Sequence, residues 1–218
     1  VNLSLNEVEG LVWKAARGAG LAWGLAEDIA QAARWLAAAG FDWAPALVAC
    51  LADAEARGGM LPIPIETAAG WSPADEAEWL SPLLCGPLLS DLARGSALRQ
   101  PLAFRRLACP ILLLPFVAGA ARDLGRTLHL AWPCADIRCS PAGKPSSAVA
   151  ITDRAEWVTV SLLADRAGEA AVAPPFVARA AIRDAEMRRF AAWVQQTYVP
   201  ASLESRLAGA GAGLTDND

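Results

Sequence analysis

Apolar positions recur at helical spacing through the first part of the chain and alternate with polar ones through much of the second. Leu5, Val8, Val12, Ala15, Ala16 and Ala19 fall on one helical face. Ser4 and Glu7 precede that run as an S-x-x-E capping box, so the pattern predicts a helix from Ser4 to Gly18. Leu25, Ile29, Ala32, Ala33 and Leu36 predict a second helix from about Gly24 to Ala39, closed by Gly40. Asp42 as N-cap and Pro45 in the first turn predict a third, to Arg57. Met60 to Trp71 carries Pro62, Pro64 and Gly70 and reads as extended or loop. A further helix is expected to open at Ser72 with Pro73 in first position. Pro82 and Pro87 should break it before it ends near Gly95.

The second half changes period. Ile111–Leu114 reads as a short buried strand, and Val117–Leu124 as a helix stopped by Gly125. Thr127–Trp132, Ala148–Thr152, Trp157–Leu163 and Phe176–Ile182 read as strands. Asp184 opens a helix to about Gln196. Pro200 breaks the chain, and a short helix is expected over Ser202–Leu207. These elements predict an α+β or α/β fold: one domain over residues 1–218, with a helical N-terminal lobe (1–100) packed on a mixed-sheet lobe (101–218).

Composition narrows the classes. Hydrophobic residues make up 55% of the 218 and charged residues 19%, enough apolar surface to offset ordering entropy. The net charge of -4 supplies no basic excess to displace counterions from a phosphate backbone, so nucleic acid is not expected as a partner. The longest apolar run, Leu107 to Ala121, is too short to span about 30 Å of hydrocarbon as a helix and is interrupted by Pro110, Pro115 and Gly119. No membrane span is expected. Cys50, Cys85, Cys109, Cys134 and Cys139 are odd in number and never at C-x-x-C spacing. They read as reduced thiols, and with no leader-like N-terminus the expected location is the cytoplasm.

Candidate chemistry is sparse. His129 is the one histidine, so any Ser-His-Asp or Cys-His mechanism must use it as general acid or base. It lies close to Cys134, Asp136 and Cys139, residue types that bind metals, but the spacing is not that of a zinc site, and Pro133 and Pro141 read as marking a loop. No metal and no cofactor are expected. Gly18, Gly20 and Gly24 beside Arg17 lead into a helix, but no strand precedes them. They read as the turn of a helical hairpin. Trp13 and Trp35 lie off the apolar stripes of that hairpin and are expected to be buried against the sheet lobe or a second subunit. Near the C-terminus, Tyr198, Ser202, Ser205 and Arg206 gather three hydroxyls and a guanidinium, groups suited to a carboxylate or phosphate. The Gly- and Ala-rich stretch from Ala208 to Asp218 is expected to fold back onto the body or a partner subunit.

The opening segments Ser4-Leu5-Asn6-Glu7-Val8-Glu9, Lys14-Ala15-Ala16-Arg17-Gly18-Ala19-Gly20 and Trp23-Gly24-Leu25-Ala26-Glu27-Asp28 resemble a bacterial family known as a domain of unknown function. The closing Thr197-Tyr198-Val199-Pro200-Ala201-Ser202, Ser205-Arg206 and Gly209 to Asp218 resemble the same family. The resemblance implies a bacterial cytoplasmic origin and carries over no activity, cofactor or catalytic residue. Two function classes stay open. The first is a small-molecule enzyme acting on a polar or carboxylated metabolite between the lobes. His129 and Tyr198 would be its catalytic groups, and Arg17, Ser202, Ser205 and Arg206 would bind the substrate. The second is a non-catalytic binding module, or one that assembles with further copies of itself.

Overall fold

The computed structural model describes residues 1–95, 101–142, 145, 152–162 and 176–198. Its elements are β1 (Asn2–Ser4), α1 (Leu5–Gly18), α2 (Trp23–Ala38), α3 (Ala44–Ala56), β2 (Pro64–Thr67), β3 (Gly70–Pro73), α4 (Pro82–Arg94), β4 (Leu102–Ala108), α5 (Leu114–Leu124), β5 (Leu128–Trp132), β6 (Ala135–Cys139), β7 (Arg154–Leu162), β8 (Arg179–Ala181) and α6 (Asp184–Gln196). A six-stranded mixed sheet runs β2-β3-β4-β7-β5-β6, antiparallel except where β3 meets β4. β1 and β8 form a separate antiparallel pair. The architecture is α+β.

Local signals explain the helical part. The Ser4 side chain accepts from the Glu7 amide, and the Glu7 carboxylate accepts from the Ser4 amide at 2.7 Å, so both halves of the capping box are made. α1 and α2 pair as a hairpin, and α6 returns from the far end of the sequence to pack on α1 and α3. Gly18 is required at the α1–α6 crossing, because a Cβ there would fall 1.9 Å from the Trp193 carbonyl oxygen. α5 packs against β5 and β6. One cluster of buried apolar side chains extends from Val8 and Val12 through Leu113 and Val117 to Leu130 and Val160. Elements on either side of residue 100 share this core. β2 and β3 join the sheet, and α5 touches α2 and α4.

Several expectations are corrected. Ile111–Leu114 is not a strand: Pro110–Leu113 is a 3-10 turn running straight into α5, and all four of its side chains are buried. A continuous apolar run reads alike as buried strand or buried helix, and Pro110 at the first position decides for the helix. The strand lies just upstream, as β4. It was hidden because Phe104 and Leu107, three apart, both face the core. Arg106 between them has a left-handed φ of 54°, which breaks the usual alternation. Ser72 and Pro73 open no helix but end β3, paired with Ile65 and Pro64 in a hairpin turned at Gly70 (φ 118°). Pro87 does not interrupt α4, whose face of Leu83, Cys85, Gly86, Leu89 and Ala93 stays buried throughout. Pro133 marks the tight turn of a hairpin whose second strand is β6, not a loop. The third helix is preceded by Trp43 instead of Asp42. The expected strand at Ala148–Thr152 (except Thr152 itself), the helix at Ser202–Leu207 and the tail from Ala208 fall outside the described residues.

Candidate functional site

Three helices, two from the first part of the chain and one from the second, frame a cleft of about 370 Å³. α2 contributes Asp28, Gln31, Ala32 and Trp35. α4 contributes Pro87, Ser90, Asp91 and Arg94, and α5 contributes Phe116, Gly119, Arg122 and Asp123. Each set recurs at three- and four-residue steps, so each helix turns one stripe toward the others. Trp35 and Phe116 supply the apolar walls. Phe116 can lie down against α4 because residue 86 is glycine; a Cβ there would meet its ring at 2.3 Å.

The charges of the cleft are mixed. Arg94 reaches Asp91 at 3.6 Å and Arg122 reaches Asp123 at 3.8 Å. Both guanidiniums are largely exposed, so neither pair contributes much to stability. Asp28 is the perturbed group. Partial removal from water raises its carboxyl pKa above the ordinary aspartate value, the nearby charges of Asp91 and Glu27 raise it further, and Arg94 opposes them. A cleft with apolar walls, a raised carboxyl and flanking guanidiniums can bind a small polar molecule and exchange a proton with it.

The histidine lies elsewhere. Leu128, Leu130 and Trp132 of β5 are buried toward the helices, so His129 points to the opposite face of the sheet. There its Nε2 lies 2.5 Å from Oδ1 of Asp136 on β6, and the register sets Ser161 of β7 beside it on the other flank. Cys139 pairs with Leu128 and faces the core, away from His129. Among the described residues, no group of three or more His, Cys, Asp or Glu side chains is arranged to hold a metal ion. Nor is any helix among them long and apolar enough to cross a membrane.

The remaining sequence candidates are dispersed. Arg17, at the end of α1, donates to the Leu21 carbonyl and stacks 4.6 Å from the Trp23 ring centroid, which fastens the α1–α2 turn. Tyr198 is exposed just beyond α6, on the helical side. His129 is separated from both by the sheet. Ser202, Ser205 and Arg206 lie outside the described residues. Trp13 packs on Trp23 at 5.2 Å between centroids, and Trp35 lies between Phe41 and Phe176 at the cleft margin. The cleft residues escaped notice because each stripe is ordinary on its own helix. Only the meeting of α2, α4 and α5 makes them one site.

Residues 3–63 match the model of a family described as "Protein of unknown function (DUF3726)", in line with the resemblance of the opening segments. No curated protein matches the chain. Among solved structures, the fold is similar to the crystal structure of malate dehydrogenase from Entamoeba histolytica, with a TM-score of 0.43 and 10% identity over 71% of this chain. The chain spans 49% of that protein's length. A likeness this distant carries no argument about activity.

Proposed function

We propose that the cleft between α2, α4 and α5 binds a small polar metabolite and that the chain is an enzyme acting on it, with Asp28 exchanging a proton with the substrate. The observation that carries this reading is the raised Asp28 carboxyl inside a concavity with apolar walls and two arginines at hand. A carboxylate on the substrate suits Arg94 or Arg122, since guanidinium binds carboxylate through paired N–H donors. Trp35 and Phe116 accommodate the apolar part of the same molecule.

The test is a metabolite pull-down read by mass spectrometry, followed by turnover of whatever is captured. The ligand is expected to be lost from an Arg94→Gln/Arg122→Gln chain. An Asp28→Asn chain should bind it and fail to turn it over. Capture unaffected by the arginine replacements removes the cleft as the site. Binding without turnover by the wild-type chain replaces the enzyme with a non-catalytic binding module.

A second reading rests on the 2.5 Å contact between His129 and Asp136, because a carboxylate that orients an imidazole is a common acid–base arrangement. A His129→Gln chain that keeps full activity and the wild-type pH profile excludes it.

A further inference from the structure

The charged groups of the cleft between α2, α4 and α5 stand apart from its apolar walls. Phe116 lies against Gly86, beside Pro87 at the start of the α4 stripe. Asp91 and Arg94 are one and two turns further along α4. Asp28 of α2 belongs with them, since it feels the charges of both. Trp35 is two turns on from Asp28. On α5, Arg122 is nearly two turns from Phe116, about 9 Å at 1.5 Å per residue.

The charges do not balance. Three carboxylates, Asp28, Asp91 and Asp123, line the cleft with two guanidiniums, Arg94 and Arg122. Each guanidinium has a carboxylate on its own helix, Asp91 at 3.6 Å and Asp123 at 3.8 Å. Among the described residues, none forms an ion pair with Asp28. Partial burial raises the Asp28 pKa, and the charges of Asp91 and Glu27 raise it further. A cation brought by the ligand offsets that excess of negative charge. The two existing pairs are long and exposed, so a guanidinium can turn from its helix partner to a ligand carboxylate at little cost.

We infer that the ligand of this cleft is an α-amino acid with an apolar side chain. The inference rests on the cleft being the substrate site. The ligand carboxylate meets Arg94 or Arg122, its ammonium donates to Asp28 and Asp91, and its side chain lies between Trp35 and Phe116. Opposite charges on one small head group and apolar surface beyond it are what an α-amino acid presents. A plain carboxylic acid leaves Asp28 without a cation, and a plain amine leaves the guanidiniums on their helix partners.

The test is calorimetric titration of the full chain with L-leucine, L-isoleucine, L-methionine, L-phenylalanine and L-tryptophan. Each is compared with its analogue lacking the amine and its analogue lacking the carboxylate. At least one amino acid should bind, and removal of either charged group should weaken it about tenfold or more. An Asp28→Asn chain should still bind that amino acid but prefer it to its des-amino analogue by no more than about threefold, because the amide carries no charge. An Arg94→Gln/Arg122→Gln chain should bind it no better than the amine. If none of the five binds, or a des-amino analogue binds as tightly as its parent, the amino-acid assignment is overturned, while the cleft still stands as a carboxylate site wherever the arginine replacements abolish capture of another metabolite. Amino-acid binding that neither replacement alters overturns the assignment and the cleft together. The analogues vary the ligand, so the wild-type chain decides even where a variant fails to fold.

Discussion

The α1–α2 hairpin and the passage from β4 into α5 hold their backbones by different means. In the hairpin, the start is capped by its own residues, Ser4 and Glu7, and the turn is fastened by Arg17 onto Leu21 and Trp23, a few positions along. In the passage, Arg106 and Cys109 both adopt left-handed φ, and what holds them comes from afar. The Leu80 amide donates to the Arg106 carbonyl at 2.7 Å, the Arg106 guanidinium donates to the Glu78 carbonyl at 3.1 Å and covers Trp79, and Cys109 donates to Asp153. One region is specified by neighbours in sequence. The other exists only after distant segments have assembled around it, which is where strained backbone is tolerated.

The largest expected effect probes how far the hairpin depends on remote help. Trp193 of α6 is 1% exposed and packs on Phe190, Arg189 lies over its ring at 4.7 Å, and its backbone lies against Gly18. Trp193→Ala should cost about 3–5 kcal/mol, measured as a fall in the urea midpoint at constant slope. A loss below about 1 kcal/mol would mean that the hairpin stands without α6.

The next effect sharpens the other side. At Arg106, glycine relieves the left-handed strain and loses the contact with Trp79, while valine loses the contact and adds β-branched strain. Arg106→Val should therefore be less stable than Arg106→Gly by about 1–2 kcal/mol in paired melts. Equal stabilities would show that the strain at this position is negligible.

The smallest effect is local. Ser4→Ala removes the cap and should cost about 1 kcal/mol. It also has a pH signature. Hydrogen bonds from the Ser4 backbone and side chain hold the Glu7 pKa below its ordinary 4.5. A carboxylate with a lowered folded pKa contributes its stability above the unfolded value and loses it as pH falls through the folded one. The gap between wild type and Ser4→Ala should thus narrow below about pH 4.5, and a gap independent of pH would detach Glu7 from the cap.

What could be read from the sequence follows the same division. α1, α2, α5 and α6 were legible because capping residues, glycine stops and helical spacing act within a turn or two. β5 and β7 were legible from alternation. β4 was not, since Arg106 breaks its alternation and nothing local announces that it does. Of the site candidates, His129 was legible as a unique residue, but its partner Asp136 required the register of a hairpin that Pro133 disguised as a loop. Asp28 carries no signal of its own in the sequence, being one acidic residue early in the second helix. Its neighbours in the cleft, Asp91 and Arg94, come from a helix whose start was misplaced at Ser72.

The pairing of β1 with β8 bears on the order in which the fold is built. Asn2 lies beside Ala181 and Ser4 beside Arg179, so this small sheet joins residues nearly the whole described chain apart. Closing so long a loop carries an entropic cost that no local contact repays, whereas α1 and α2 meet across a four-residue turn. On a ribosome the helical hairpin can form early, but the strand that leads into it must stay unpaired until Arg179–Ala181 have been synthesised. Pulse-labelled hydrogen exchange during refolding should therefore protect the amides of α1 before those of the β1–β8 ladder. The first strand encountered in the sequence is then among the last pieces of the structure to be completed.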